Sequence, residues 1–425
     1  MPRRFRALAV AVTLLAMERG YAAAQEMHDH RSAEPAPPVR FGGSAQGVFV
    51  LTHAAPAVAG ADATEGYLTQ PNLMAHGDAF GGLLTFAGTL NLEGLTLRRG
   101  ELNAGGWGEG YVDRRHPHTY LHEAVLSANL RRDAAAASLS VGKGFVPFGT
   151  DDPMMRPFVK YPSNHHLSQI LERAVVIGAV RYGPLMLEGA LFNGDEPTGP
   201  TDWPNLDHHR FGDSRAARLT LTPADGLELQ ASRAYVTSPE HETGGGLDQS
   251  KWSASVRLDR PDLSWSPYAQ VEWALTRDGH AGEWGYTFHS VLAEGAVRRG
   301  RIALAARLES SERPEEERLL RGYPFRSPRP APDFSILARS RWQIATANVT
   351  LEPGWTFPVR VAPFAEISLG RVRNLTPGAL FDAREVYGSD RLWSLSVGAR
   401  LAAGPAHGRM GRYGLAAGPV TMIMP

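Results

Sequence analysis

The sequence has no cysteine, only three lysines and no excess of either charge, and past its first residues it has no long apolar run. Without cysteine there is no disulfide framework, no thiolate-held zinc or iron–sulfur centre and no thiol chemistry. Basic and acidic side chains number 44 each, so no electrostatic footprint for nucleic acid is present. Charged residues at 21% and hydrophobic residues at 43% exclude wholesale disorder. No stretch approaches the roughly 18 apolar residues of a spanning helix, which excludes a helical membrane protein. The 425 residues suit two or three soluble domains or one large β-barrel, and length does not choose between them.

The first residues have a definite order. Arg3, Arg4 and Arg6 precede a ten-residue apolar run (ALAVAVTLLA, 7–16), and Ala22, Ala23 and Ala24 precede Gln25. Basic, apolar and small residues in that order predict a secretory signal peptide over 1–24. The apolar run is about half the length of a spanning helix. Removing 1–24 takes away four arginines and one glutamate, leaving 40 basic and 43 acidic groups. Residues 25–44 begin polar and proline-rich and predict a flexible mature N-terminus.

Beyond residue 44 the apolar pattern has period two. Leu84, Phe86, Gly88, Leu90 and Leu92 alternate with polar or small residues, as do Trp252, Ala254, Val256 and Leu258. Ile302, Leu304, Ala306 and Leu308 repeat the pattern, and Trp393, Leu395, Val397, Ala399 and Leu401 repeat it again. Successive side chains of a strand point to opposite faces, so each segment has one apolar and one polar face.

The connections separate a membrane barrel from a soluble sandwich. Strands are expected near 45–53, 81–92, 95–107, 122–131, 136–144, 174–182, 185–193 and 215–222. Eight more are expected near 227–236, 250–259, 264–275, 286–298, 301–309, 340–350, 358–371 and 391–401. Short and long links alternate between them, with long ones at 108–121, 145–173, 194–214, 237–249, 276–285, 310–339 and 372–390. Lipid cannot satisfy an open sheet edge, so a membrane sheet closes with short turns at one rim and long loops at the other. The expected fold is therefore all-β, a closed antiparallel transmembrane barrel of about 16 strands, with 14 to 18 fitting the pattern. The barrel is placed at 45–401, with 402–425 as a C-terminal tail or closing segment. Trp107, Tyr111, Trp265, Tyr268, Trp273, Tyr286, Phe288, Trp355 and Phe357 stand near expected strand ends and suggest aromatic girdles.

Charges on the polar face support a wet interior. Lys143, Arg181, Glu188, Arg257, Glu272, Arg307 and Arg400 are the candidate lumen lining; a sealed core would have to give each a partner. The long link after 138–149 (SLSVGKGFVPFG) carries Asp151, Asp152, Arg156, Lys160, His165 and His166 and ends on Arg173. A loop with both charge signs folded inward would make a pore constriction with a transverse field.

The run ending in Pro147-Phe148-Gly149 resembles the phosphate-selective porin O/P family. That resemblance implies a sixteen-stranded, trimeric outer-membrane barrel passing anions. Phosphate selectivity in that family relies on lysine, whereas this chain has only Lys143, Lys160 and Lys251.

Other chemistry leaves little trace. His116, His118, His122, His165, His166, His208 and His209 gather in loops, where they read as surface histidines rather than as a metal site. Asp195-Glu196 and Asp151-Asp152 lack the spacing of a calcium loop or a glycosidase pair. No serine stands in a nucleophile motif. No catalytic residue, metal or cofactor is expected. The reading is an exported channel in the outer membrane of a Gram-negative-type bacterium. Its partners would be membrane lipid and small hydrophilic or anionic solutes, with a homotrimer as the assembly. The alternatives are a plugged structural or adhesive barrel and a soluble exported carbohydrate-binding β-protein.

Overall fold

The computed structural model describes residues 39–58, 61–96, 119–150, 152–197, 200–201, 210–239, 246–280, 282–316, 336–352, 359–376, 378, 382, 384–385, 388–404 and 409–417. The strands are β1 (Val39–Val58), β2 (Ala61–Ala79), β3 (Leu84–Asn91), β4 (Leu121–Arg132), β5 (Ala135–Gly144), β6 (Arg173–Tyr182), β7 (Leu185–Phe192) and β8 (Ser214–Ala224). They continue as β9 (Leu227–Val236), β10 (Asp248–Asp259), β11 (Tyr268–His280), β12 (Glu283–Arg299), β13 (Ile302–Glu316), β14 (Ile336–Leu351), β15 (Val359–Asn374) and β16 (Arg391–Ala403). Each pairs antiparallel with its neighbours in sequence, and β16 pairs with β1 from Ala45↔Ala403 to Ala55↔Trp393. The sheet is a closed sixteen-stranded barrel with no free edge.

The period-two pattern sorts side chains across this wall. On β13, Leu308 is 64% exposed while Arg307 beside it is 1% exposed. Leu304, Val271, Trp273, Leu369, Trp393 and Leu395 are exposed on the outside. Glu188, Glu272, Glu294, Glu309 and Glu366 are buried on the inside. An apolar exterior around a charged interior is the inverse of a soluble protein and is the arrangement of a transmembrane barrel.

Sixteen is the number the pattern predicts, but two strands exchange places. The segment near 95–107 is not among the sixteen: Glu93–Thr96 is a helical turn and the rest of the segment lies outside the described residues. The missing strand is β2, and β3 consequently runs from the turn rim to the loop rim, opposite to the direction the pattern implies. A bulge hides β2. Gln46 pairs with Asn72 and Val48 with Thr69, so Gln70 and Pro71 together face Gly47, and Gln70 takes φ 54°. Tyr67 and Thr69 are buried before the bulge, Asn72 and Met74 after it. The inward parity flips within one strand, so no single alternation describes it.

Other bounds shift as well. β1 begins at Val39, so residues 39–44 are strand rather than flexible N-terminus, and β16 extends to Ala403. β11 and β12 occupy most of the expected 276–285 loop. Of the expected girdle, Tyr268 and Phe288 are buried on the inward face, while Trp265, Trp273 and Tyr286 are exposed. Trp107, Tyr111, Trp355 and Phe357 lie outside the described residues.

Candidate functional site

The link between β5 and β6, residues 145–172, folds into the barrel. Its entry is set by Gly149, at φ 69°, where a Cβ would lie 1.6 Å from the Ser168 carbonyl oxygen, so the motif Pro147-Phe148-Gly149 ends on a turn only glycine can make. Phe148 packs with Val125, Phe145, Ile177 and Phe192, anchoring the loop base to β4, β6 and β7. The Gly149 N–H donates to Ser232 Oγ on β9 at 2.9 Å.

From there the loop crosses to the opposite wall, and strand glutamates receive it. Glu272 on β11 accepts from Thr150, from Arg156 Nη2 at 3.3 Å and from Asn164 Nδ2 at 2.7 Å. Arg156 also lies 3.7 Å from Glu294 on β12. Burial opposes the Arg156 charge, but Glu294 and Glu272 outweigh it and hold the guanidinium above its ordinary pKa. Glu309 on β13 accepts from Lys160 Nζ at 3.2 Å and from the Ser163 N–H at 3.0 Å. Arg307 donates to Glu294 at 2.7 Å and to the Lys160 carbonyl at 2.9 Å, and its guanidinium stacks 4.1 Å from the Phe158 ring centre. Glu366 on β15 takes the N–H groups of Val159 and Lys160. On β2, Asn72 donates to Met154 Sδ at 3.0 Å.

A second segment enters the same space. Past β16, residues 409–417 turn back along the inner wall of β4–β6. Arg409 and Arg412 pair with Glu228 on β9, and Arg412 lies 3.9 Å from Glu188. Tyr413 donates to Glu123 at 2.6 Å and accepts the Phe145 N–H at 2.9 Å. Met410 meets Met154 and Tyr161, so tail and loop touch. Complete burial, with Arg218 and Arg409 nearby, pushes the Arg412 guanidinium well below its ordinary pKa.

The predicted residues fall into three groups. Arg156, Lys160, Glu272 and Arg307 come together at the loop–wall contact. Asp152 caps the turn Pro153–Met155, accepting from the Met154 N–H at 2.7 Å, and the His165 ring stands edge-on to Tyr161. His166 lies in the same short helix as His165, and Asp151 lies outside the described residues. Arg173, Lys143 and Arg257 sit elsewhere. Arg173 binds Glu196 at 3.0 Å and the Gly194 carbonyl, tying β6 to the loop after β7. Lys143 is buried with Thr119, His122 and Glu172, and Ala124 and Ala174 stand opposite it in the sheet. Arg257 pairs with Asp259 at 2.7 Å near the turn rim. Glu188 is occupied by a two-pronged bond from Arg218.

Arg181 and Arg400 form the third group. Both lie inside and only partly buried, and neither makes an ion pair with a described carboxylate, although Arg400 is within electrostatic reach of Glu366. The anchoring roles of Glu294, Glu309 and Glu366 were not read from the sequence, although all three fall on the polar face of their strands. Arg409, Arg412 and Tyr413 carry no periodic signal at all.

No family model matches the chain, and no curated relative does. Among solved structures it is similar to an anion-selective porin from Comamonas acidovorans, at 11% identity and a TM-score of 0.50, over 86% of this chain and 99% of that one. It is also similar to the trimer form of OmpT, an outer membrane protein of Vibrio cholerae, at 10% identity and a TM-score of 0.50, over 86% of this chain and 100% of that one. At these identities the likeness is one of fold. It reaches the barrel and not the phosphate-selective family.

Proposed function

We propose that this chain is an outer-membrane channel for passive diffusion of small polar solutes, with anions favoured. The observation that carries the reading is the 145–172 loop, which crosses the barrel and is bonded to β9, β11, β13 and β15. Such a crossing narrows a pore to a passage whose lining sets selectivity. Arg156, Lys160, Arg307 and Arg400 set four cations against the four glutamates Glu272, Glu294, Glu309 and Glu366, which leaves Arg181 as an inner-wall cation outside that set. Export directed by residues 1–24, a homotrimeric assembly and a non-catalytic role belong to the same reading. Phosphate specificity does not, because Pro147-Phe148-Gly149 has a structural task and lysine is scarce.

Planar-bilayer recording of the refolded chain tests this. Discrete conductance steps with a reversal potential favouring chloride over potassium are expected, and Arg400→Gln should reduce that preference. Deleting 151–168 should raise the step size; an unchanged step would remove the loop from the pathway.

A second reading, a plugged barrel acting through its outer loops, is favoured by the tail. Residues 409–417 share the lumen with the loop and touch it at Met410. If the full chain carries no current and a chain lacking 409–425 does, the plugged reading replaces the channel.

A further inference from the structure

Exposed arginines stand at both rims, some with a carboxylate partner and some, such as Arg131 and Arg299 near the turn rim, with none among the described residues. Near the turn rim, Arg40 is bonded to Asp78, Arg260 to Asp262 and Arg298 to Glu352. Near the loop rim, on the outer face, exposed arginines stand without such partners. Arg371 and Arg373 on β15 share the outward parity of Ile367 and Leu369, and Arg391 on β16 shares that of Trp393 and Leu395. Arg371 lies directly opposite Arg391, and Arg373 directly opposite Arg341. Like charges facing each other across a strand pair destabilise a sheet. Glu312 answers Arg341, but no described carboxylate answers Arg371, Arg373 or Arg391.

A second arc of exposed arginines lies on β8–β11, set against aromatic rings rather than opposite one another. Arg215 stacks on Tyr235 at 5.5 Å, and Arg233 and Arg277 each lie 5.4 Å from the Trp252 ring centre. All three arginines are exposed, on the parity of Leu219, Ala231 and Val271, and none has a carboxylate partner among the described residues. Stacking holds each guanidinium plane on the wall while leaving its N–H fork free. A fork of that geometry at the edge of an apolar band fits a phosphate oxygen at headgroup depth.

We propose that the loop-side rim of the outer wall binds phosphorylated lipid headgroups, with Arg371, Arg373 and Arg391 as one seat and Arg215, Arg233 and Arg277 as the other. The bound phosphate supplies the countercharge that opposed arginines lack. This rests on the outer-membrane reading above, where one leaflet meets this rim.

The test uses the full refolded chain and two triple variants, R371Q/R373Q/R391Q and R215Q/R233Q/R277Q. Each is first shown to fold by its gel shift on boiling. Binding is measured in detergent by native mass spectrometry, using a diphosphorylated glycolipid, the same lipid after phosphatase treatment, and inorganic phosphate alone. The wild type should retain the phosphorylated lipid and lose it on dephosphorylation. Each triple variant should weaken binding at its seat by about a hundredfold, roughly fivefold per arginine. Equal retention of the dephosphorylated lipid, or variants that bind as the wild type does, would overturn the proposal. So would inorganic phosphate competing fully at millimolar concentration, which would mean a free-anion site, or cysteines placed at the seats crosslinking between copies, which would mean a subunit interface. If no gel shift occurs even for the wild type, the membrane reading fails first, separately from this one.

Discussion

Glu366 on β15 and Lys160 in the inward loop are joined through the main chain: the glutamate carboxylate accepts the Lys160 N–H at 2.8 Å and the Val159 N–H at 2.9 Å. A charged acceptor on two backbone donors holds the loop at its far end regardless of which side chains the loop presents. Glu366→Ala leaves two N–H groups without this acceptor, at about 1–3 kcal/mol. The expected result is a barrel that still shows its gel shift on boiling, with noisier and larger conductance steps. Steps identical to the wild type would show that the loop tip is held by its other bonds alone.

Arg156 connects two wall strands through one guanidinium, reaching Glu272 and Glu294. Removing one partner of a buried ionic cluster strands charge in a dry setting, and Arg156→Met should cost about 3 kcal/mol. Arg156→Lys should recover little, since an ammonium cannot span both carboxylates as a planar fork does. Urea unfolding in detergent, followed by tryptophan fluorescence, measures both. Full recovery by lysine would mean that charge alone matters there.

The barrel was legible because its physics is periodic. Trp393, Leu395 and Val397 predict an outward face from spacing alone, and closure then follows from the need to satisfy every edge. β2 was illegible because Gln70 and Pro71 reverse its parity midway, and the total of sixteen was reached with a segment near 95–107 that is not among the sixteen described strands. The loop was legible as long, charged and glycine-gated. Its bonds were not, because Lys160 meets Glu309 across 149 residues, and nothing local in either segment specifies the other. Lys143 shows the opposite error: it falls in a strand, yet its charge is absorbed by Glu172 beside Thr119. The bonds of the tail were not legible because the partners of Arg409, Arg412 and Tyr413, namely Glu228, Glu188, Glu123 and Phe145, lie far away in sequence and follow no periodic pattern.

Lys160 gives the loop contact a pH dependence. Burial holds its ammonium below the ordinary value of 10.5, despite the pull of Glu309. Between the folded and unfolded pKa values the unfolded chain binds more protons, so the contribution of Lys160 to stability rises with pH through that window. The penalty for burying the charge is fully present below the folded pKa and gone above 10.5. Lys160→Met lacks this titration. The gap between wild-type and variant unfolding midpoints should therefore move in favour of the wild type as pH climbs toward 10.5. A gap that stays constant with pH would sink the assignment.

Tyr413 makes the tail part of the loop base, since one phenol oxygen donates to Glu123 and accepts from the Phe145 N–H. Burial and the Glu123 carboxylate hold that phenol well above its ordinary pKa, so it stays protonated and able to donate at any working pH. Tyr413→Phe keeps the ring packed against Phe145 and Val125 while removing both bonds, at about 1–3 kcal/mol. The bonds of Arg409 and Arg412 to Glu228 remain, so the tail should loosen at its far end rather than leave the lumen. Trypsin should then cut after Arg412 faster than in the wild type, with the barrel still resistant. If cutting is unchanged while the unfolding midpoint falls, the phenol serves the base of the loop and not the seating of the tail.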